Sequence, residues 1–250
     1  MKKILMAAGL AVGLAACSSV TTNAPQATTI KKVQMDRLVA TLPAAAQGSF
    51  DEFLAQAARE NPMLQASVAG YKAKAPLAGD DLVNISRLLG LYNRLRNQAA
   101  VIDATARMVA LPTFRSDKVP PHEDKAIIAF GALVEAMAKD FGLEYRNVDN
   151  RIFEVKLPGT GKEEFGILTH ADVVPVVADE WVLDDGTRLD PFKLTRVGGN
   201  LYGRGSIDDK GSIATVLYAM KAVKDSGLPL SRTIRLMIET TEETGGDAMK

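Results

Sequence analysis

The 250 residues suffice for one sizeable domain or two small ones, and 47% hydrophobic with 24% charged residues is the composition of a core-forming globular protein. Thirty basic residues balance thirty acidic ones, which excludes an electrostatic case for nucleic acid or for a charged membrane patch. Cys17 is the only cysteine, so no disulfide can form within these residues.

The chain opens MKKILMAAGLAVGLAACSS. Lys2 and Lys3 precede an apolar run too short to span a bilayer, which reads as the hydrophobic region of a signal peptide over residues 1–17. Leu14-Ala15-Ala16-Cys17 resembles the lipobox of bacterial lipoproteins, in which cleavage leaves an N-terminal cysteine that is then acylated. By that resemblance Cys17 is the lipidation site. Ser18 after it favours the outer membrane, facing the periplasm. Residues 18–34 begin rich in Ser, Thr and Ala without an apolar period and read as a flexible tether.

A helical region is expected over 35–100. Ser49 sits where an N-cap belongs, ahead of Phe50, Phe53, Leu54 and Ala57, and Asn61-Pro62 closes that helix. Asp80 and Asp81 precede Leu82, Ile85, Leu88, Leu89, Tyr92 and Leu95 at helical spacing. A further helix carries Val101, Ile102, Ala106 and Val109 and stops at Leu111-Pro112. Asp124 opens another, with Ile127, Phe130, Val134, Met137 and Phe141 in its stripe and Gly142 as C-cap.

Strand grammar follows. Leu143 to Val148 and Ile152 to Leu157 alternate about the turn residues Asp149-Asn150. Pro158-Gly159-Thr160-Gly161-Lys162 lacks the first glycine and the Ser or Thr of a phosphate-binding loop and is expected to be a hairpin turn. Phe165-Gly166-Ile167-Leu168 reads as a short buried strand running into Thr169-His170. Asp208-Asp209 precede a helix bearing Ile213, Val216, Leu217, Met220 and Val223, ended by Gly227, and Arg232 to Ile238 alternates as a last strand. Together these predict an α/β fold over 101–250, with a mixed, largely parallel sheet flanked by helices.

Functional groups of such sheets collect at the carboxyl ends of strands, and metal-type ligands stand at three places that fit. In His170-Ala171-Asp172 the two outer side chains share a side of an extended segment. Asp172 can then hold one ring nitrogen while the other binds a metal. Asp208 opens a helix, and Glu242-Glu243 follow a strand. One imidazole with several carboxylates suits zinc or a similar divalent ion better than calcium.

His170-Ala-Asp172-Val-Val-Pro175, Trp181, Asp190-Pro191-Phe192, Leu201-Tyr202-Gly203-Arg204-Gly205, Asp208-Asp209-Lys210-Gly211 and Thr241-Glu242-Glu243 resemble, in that order, the co-catalytic zinc exopeptidases. That family includes aminoacylases, glutamate carboxypeptidases, succinyl-diaminopimelate desuccinylases and carnosine-type dipeptidases, and the likeness is greatest to bacterial dipeptidases of the Xaa-His type. The resemblance implies two zinc ions, with His170 on one, Asp208 bridging both and Glu243 on the other. It implies Glu242 as general base, Asp172 orienting His170, a cis peptide between Asp208 and Asp209, and a dipeptide or short peptide as substrate. It also implies an acidic ligand beyond the glutamate pair, a late histidine and a lid or dimerisation domain. None of these occurs here, so the chain is expected to be the N-terminal part of such an enzyme and inactive alone. A carboxypeptidase or N-acyl-amino-acid deacylase of the same family is the alternative, and a non-catalytic lipoprotein retaining the fold is another.

Overall fold

The computed structural model of the protein describes residues 32–116 and 118–249. The expected signal peptide, with Cys17, lies outside them. The chain divides into two compact units, one up to Gln98 and one from Ala99.

The first unit is helical. Helices α1 (Lys32–Thr41), α2 (Phe50–Glu60) and α3 (Gln65–Lys72) are followed by α4 (Gly79–Val109), which runs on into the second unit. Ser49 caps α2 through a full capping box: its hydroxyl accepts from the Glu52 N–H at 3.2 Å, and its own N–H donates to Glu52 Oε2 at 2.7 Å. Phe53, Leu54, Leu64, Ile85 and Leu88 are wholly buried in this unit. Where the sequence suggests two helices between 80 and 111, the structure has one of 31 residues. Arg96-Asn97-Gln98-Ala99-Ala100 contains no proline or glycine to break it. Among the described residues no helix is long and apolar enough to cross a membrane.

The second unit is built on a four-stranded mixed sheet. Asp124 caps α5 (Lys125–Asp140), accepting from the Ala126 N–H at 2.7 Å, and Gly142 follows at φ 63°. Strands β1 (Glu144–Val148) and β2 (Ile152–Leu157) form an antiparallel hairpin. Its turn residues Asp149 and Asn150 both have positive φ, 51° and 54°, the sense of twist that joins two right-handed strands tightly. Strand β3 (Glu164–His170) follows, then a small ribbon of β4 (Thr195–Val197) and β5 (Asn200–Tyr202), helix α6 (Lys210–Asp225) and β6 (Thr233–Glu239). The sheet order is β1-β2-β6-β3.

Three sequence expectations change here. The sheet is mixed but not largely parallel: β2 pairs antiparallel with both β1 and β6, and only β3 and β6 run parallel. The tight turn forces β1 and β2 antiparallel, and the long passage through α6 leaves room for β6 to return parallel to β3, which sets it antiparallel to β2. Secondly, Pro158 to Lys162 is not a hairpin turn, because β6 lies between β2 and β3. The loop crosses the start of β6, with the N–H groups of Thr160 and Gly161 donating to the carbonyls of Leu230 and Ser231 at 2.9 and 3.0 Å. A Cβ on Gly159 would stand 2.3 Å from the Arg232 carbonyl carbon, so its glycine serves backbone contact. Thirdly, β3 is not a buried strand. It lies at the sheet edge, with Phe165 and Leu168 42% and 55% exposed.

The core lies on one face. Phe153, Val155, Leu236 and Ile238 alternate onto it and meet Ile127, Phe130 and Val134 of α5 and Ile213 and Leu217 of α6, all almost wholly buried. Among the described residues the opposite face carries no such helix layer in this unit. Its alternate residues form an ion-pair ladder, with Arg146 and Arg235 on Glu154 at 3.1 and 3.4 Å and Arg235 on Glu164 at 2.9 Å. The helices thus flank one side of the sheet. Alternation over residues 153–157 of β2 and 234–238 of β6, with Met237 as the apolar exception on the other face, encodes this one-sided burial.

Candidate metal centre

The single parallel pair creates the site. Because β3 and β6 run in the same direction, with His170 opposite Glu239, the segments leaving both strands emerge at one edge. His170 is the last residue of β3, and Glu242-Glu243 open a single 3-10 turn three residues beyond β6. Asp208 arrives from the start of α6, and the peptide between Asp208 and Asp209 is cis.

His170 and Asp172 are 7% and 3% exposed. The ring Nδ1 of His170 lies 3.0 Å from the backbone carbonyl of Asp172 and 3.4 Å from its carboxylate. A carbonyl only accepts, so Nδ1 carries a proton and Nε2 is turned to the acids. Nε2 stands 2.9 Å from Asp208 Oδ1 and 4.0 Å from Glu242 Oε2. Ligand atoms of His170, Glu242 and Glu243 all lie within 4.8 Å of one another. The structure therefore brings together His170, Asp172, Asp208, Glu242 and Glu243, whereas Cys17 lies outside the described residues. His122 faces elsewhere, with Nε2 at 3.7 Å from Glu123 and 3.5 Å from an Arg151 nitrogen.

Asp172 does more than hold the imidazole. Its two carboxylate oxygens accept the backbone N–H groups of Glu242 and Glu243 at 3.2 and 3.0 Å. The residue thus clasps the histidine with its carbonyl and the glutamate turn with its carboxylate. That second use has no sequence signal, because it joins positions 70 residues apart.

The electrostatics are those of a crowded acidic site. Burial opposes the charge of His170, but hydrogen bonds to Asp172 and Asp208 outweigh it and raise the imidazole to about 10. Glu243 is raised by burial and by the Asp208 charge, and Glu239 by burial and by Asp172. Burial pushes the Lys210 ammonium down to about 7, against the pull of Asp172. A divalent cation would satisfy the nitrogen and carboxylate oxygens that converge here, and this donor set suits zinc. The residues fit the metal.

The other motif residues build the connection between the ligand segments. Arg204 donates its backbone N–H to the Pro191 carbonyl at 2.7 Å and lays its guanidinium 5.4 Å from the centre of the Trp181 ring. Phe192 stacks on Phe114, centroids 5.9 Å apart. Sequence reasoning gave no role to Thr113, Lys210 or Glu239. Lys210 lies within a quoted motif, whereas Thr113 carries no local signal at all.

Residues 166–250 match peptidase family M20/M25/M40. The chain is 39% identical over 113 residues to YtjP of Bacillus subtilis, a provisionally named dipeptidase, covering 45% of this chain and 22% of that protein. It is 36% identical over 110 residues to the Beta-Ala-Xaa dipeptidase of Lactobacillus delbrueckii subsp. lactis, covering 44% and 22%. The chain thus spans about a fifth of the length of these curated relatives. Human carnosine dipeptidase 1 has a similar fold, with a TM-score of 0.54 at 24% identity over 63% of this chain and 35% of that one.

Proposed function

We propose that this chain, whose residues 166–250 match peptidase family M20/M25/M40, carries the N-terminal, metal-binding part of a zinc-dependent dipeptidase that cleaves a peptide bond with an activated water. The observation that carries the reading is the meeting of His170, Asp208, Glu242 and Glu243 at the edge where β3 and β6 end. His170 and Glu243 would each serve as a ligand to a divalent ion, with Asp208 as a further carboxylate ligand beside His170. A zinc ion bound by these residues would supply a water of near-neutral pKa and polarisation of the scissile carbonyl, so no serine or cysteine nucleophile would be required. Glu242 takes the water's proton and returns it to the leaving amine nitrogen. Asp172 keeps the His170 Nδ1 proton in place, leaving Nε2 as the ligand atom. The dipeptidases among the relatives support a dipeptide substrate.

The test is calorimetric titration of Zn²⁺ into the metal-free chain, with His170→Ala alongside. The wild type should bind and the variant should lose most of the heat. Equal binding by both would place the metal elsewhere.

The same reading includes export. Lys2, Lys3, the apolar run and Leu14-Ala15-Ala16-Cys17 support acylation at Cys17 and an outer-membrane anchor facing the periplasm. Two or more acyl chains at Cys17 suffice as a stable anchor, so no apolar patch on the fold is needed. Cys17→Ala should abolish palmitate labelling and release the protein from the membrane fraction. Unchanged membrane association would defeat the anchor.

A further inference from the structure

Ala171, between His170 and Asp172, is wholly buried, and both its backbone groups are held. Its N–H donates to the Glu239 carbonyl at 2.7 Å, and its carbonyl accepts the Thr113 hydroxyl at 2.6 Å. The Val173 N–H in turn donates to the Thr113 carbonyl at 3.3 Å. Thr113, itself 1% exposed, therefore pins the turn that carries the imidazole from the side opposite β6.

Two residues earlier the same segment is tied to the other ligand. The Leu111 carbonyl accepts from Lys210 Nζ at 2.6 Å, and Lys210 is the first residue of α6, two after Asp208. Lys210 is wholly buried, its stem packed so closely over Gly205 that a Cβ there would lie 3.0 Å from Lys210 Cδ. A buried ammonium without a hydrogen-bond partner is strongly disfavoured, so this bond holds the Leu111 carbonyl firmly. Residues 111–113 thus join the turn bearing His170 to the helix start bearing Asp208.

We propose that Thr113, braced by Lys210 through Leu111, is a positioning residue that sets His170 against Asp208 and thereby the affinity of the metal site. The proposal rests on the metal reading above. A valine at 113 keeps the shape but leaves the buried Ala171 carbonyl without its donor, whereas a serine keeps the donor.

The experiment titrates Co²⁺ into the full chain, followed by visible absorption. It also records the His170 Nδ1 proton resonance of the metal-free protein by NMR. Thr113→Val should weaken Co²⁺ binding by roughly 10–100-fold, the usual effect of losing a group that orients a metal ligand, and should broaden or erase the His170 proton signal. Thr113→Ser should restore both. Wild-type affinity and an unchanged resonance in Thr113→Val would overturn the proposal. If the wild type binds no Co²⁺, the metal reading falls, and the His170 resonance alone then judges the brace. If Thr113→Val does not fold, amide exchange in the wild type replaces it: a Val173 amide exchanging as in an open loop would overturn the proposal, and a protected one supports it.

Discussion

In a full-length enzyme carrying this chain, Glu242→Gln should leave bound zinc unchanged while hydrolysis of a dipeptide falls by a factor of about 10²–10⁴, the ordinary worth of a general base. Glutamine keeps the size and polarity of the side chain but cannot take up the water's proton. Glu243→Gln should instead lose or weaken the metal, and activity should fall as a consequence. The two residues are chemically identical neighbours, so their roles must come from direction. They open a 3-10 turn, Glu242–Thr244, in which successive side chains diverge by about 120°. Asp172 fixes that divergence by holding both backbone N–H groups, and Gly245 at φ 107° ends the turn. Elemental analysis beside turnover for each variant reads the outcome. Metal loss in Glu242→Gln with full metal in Glu243→Gln would exchange the two assignments, and normal hydrolysis by both would remove the pair from the chemistry.

Asp172→Asn should lower the melting temperature of the metal-free chain by roughly 5–10 °C, corresponding to about 2–3 kcal/mol for a protein of this size. The buried carboxylate accepts two N–H groups at 3.2 and 3.0 Å, and hydrogen bonds to a charged acceptor are worth about 1.5–3 kcal/mol each. Asparagine can accept only one of them through its oxygen. Its NH₂ would then face the second N–H, donor against donor, at a 3% exposed position that water does not reach. Relief of repulsion works the other way, since the Asp172 charge contributes to raising Glu239 and Glu243. The net loss is therefore placed below the sum of two bonds. Working without metal separates this effect from lost ligation. A melting temperature equal to wild type would mean that the glutamate turn is held by something other than Asp172.

Much of the local structure was legible in the residues themselves. The period of Ile127, Phe130, Val134 and Met137 determined a helix, and the alternation of Ile234, Leu236 and Ile238 a strand with one buried side. Ser49 and Asp124 act as caps because a short polar side chain can reach the N–H groups that a helix start leaves open. The order of the motifs from His170 to Glu243 pointed to the site residues, and the cis peptide expected by resemblance lies between Asp208 and Asp209.

Tertiary structure alone decided who pairs with whom. Periodicity records which side of an element is buried, but not which neighbour buries it. An apolar run such as Phe165 to Leu168 therefore reads as buried even though it becomes an edge strand. Placing β6 between β2 and β3 turned an expected hairpin loop into a crossing and set His170 opposite Glu239. From that one pairing follow the clasp of Asp172 on the glutamate turn and the contact of Thr113 with Ala171, across 70 and 58 residues. Such contacts are matches between backbone groups of distant segments, and a backbone group is the same at every position in a sequence until the fold selects its partner.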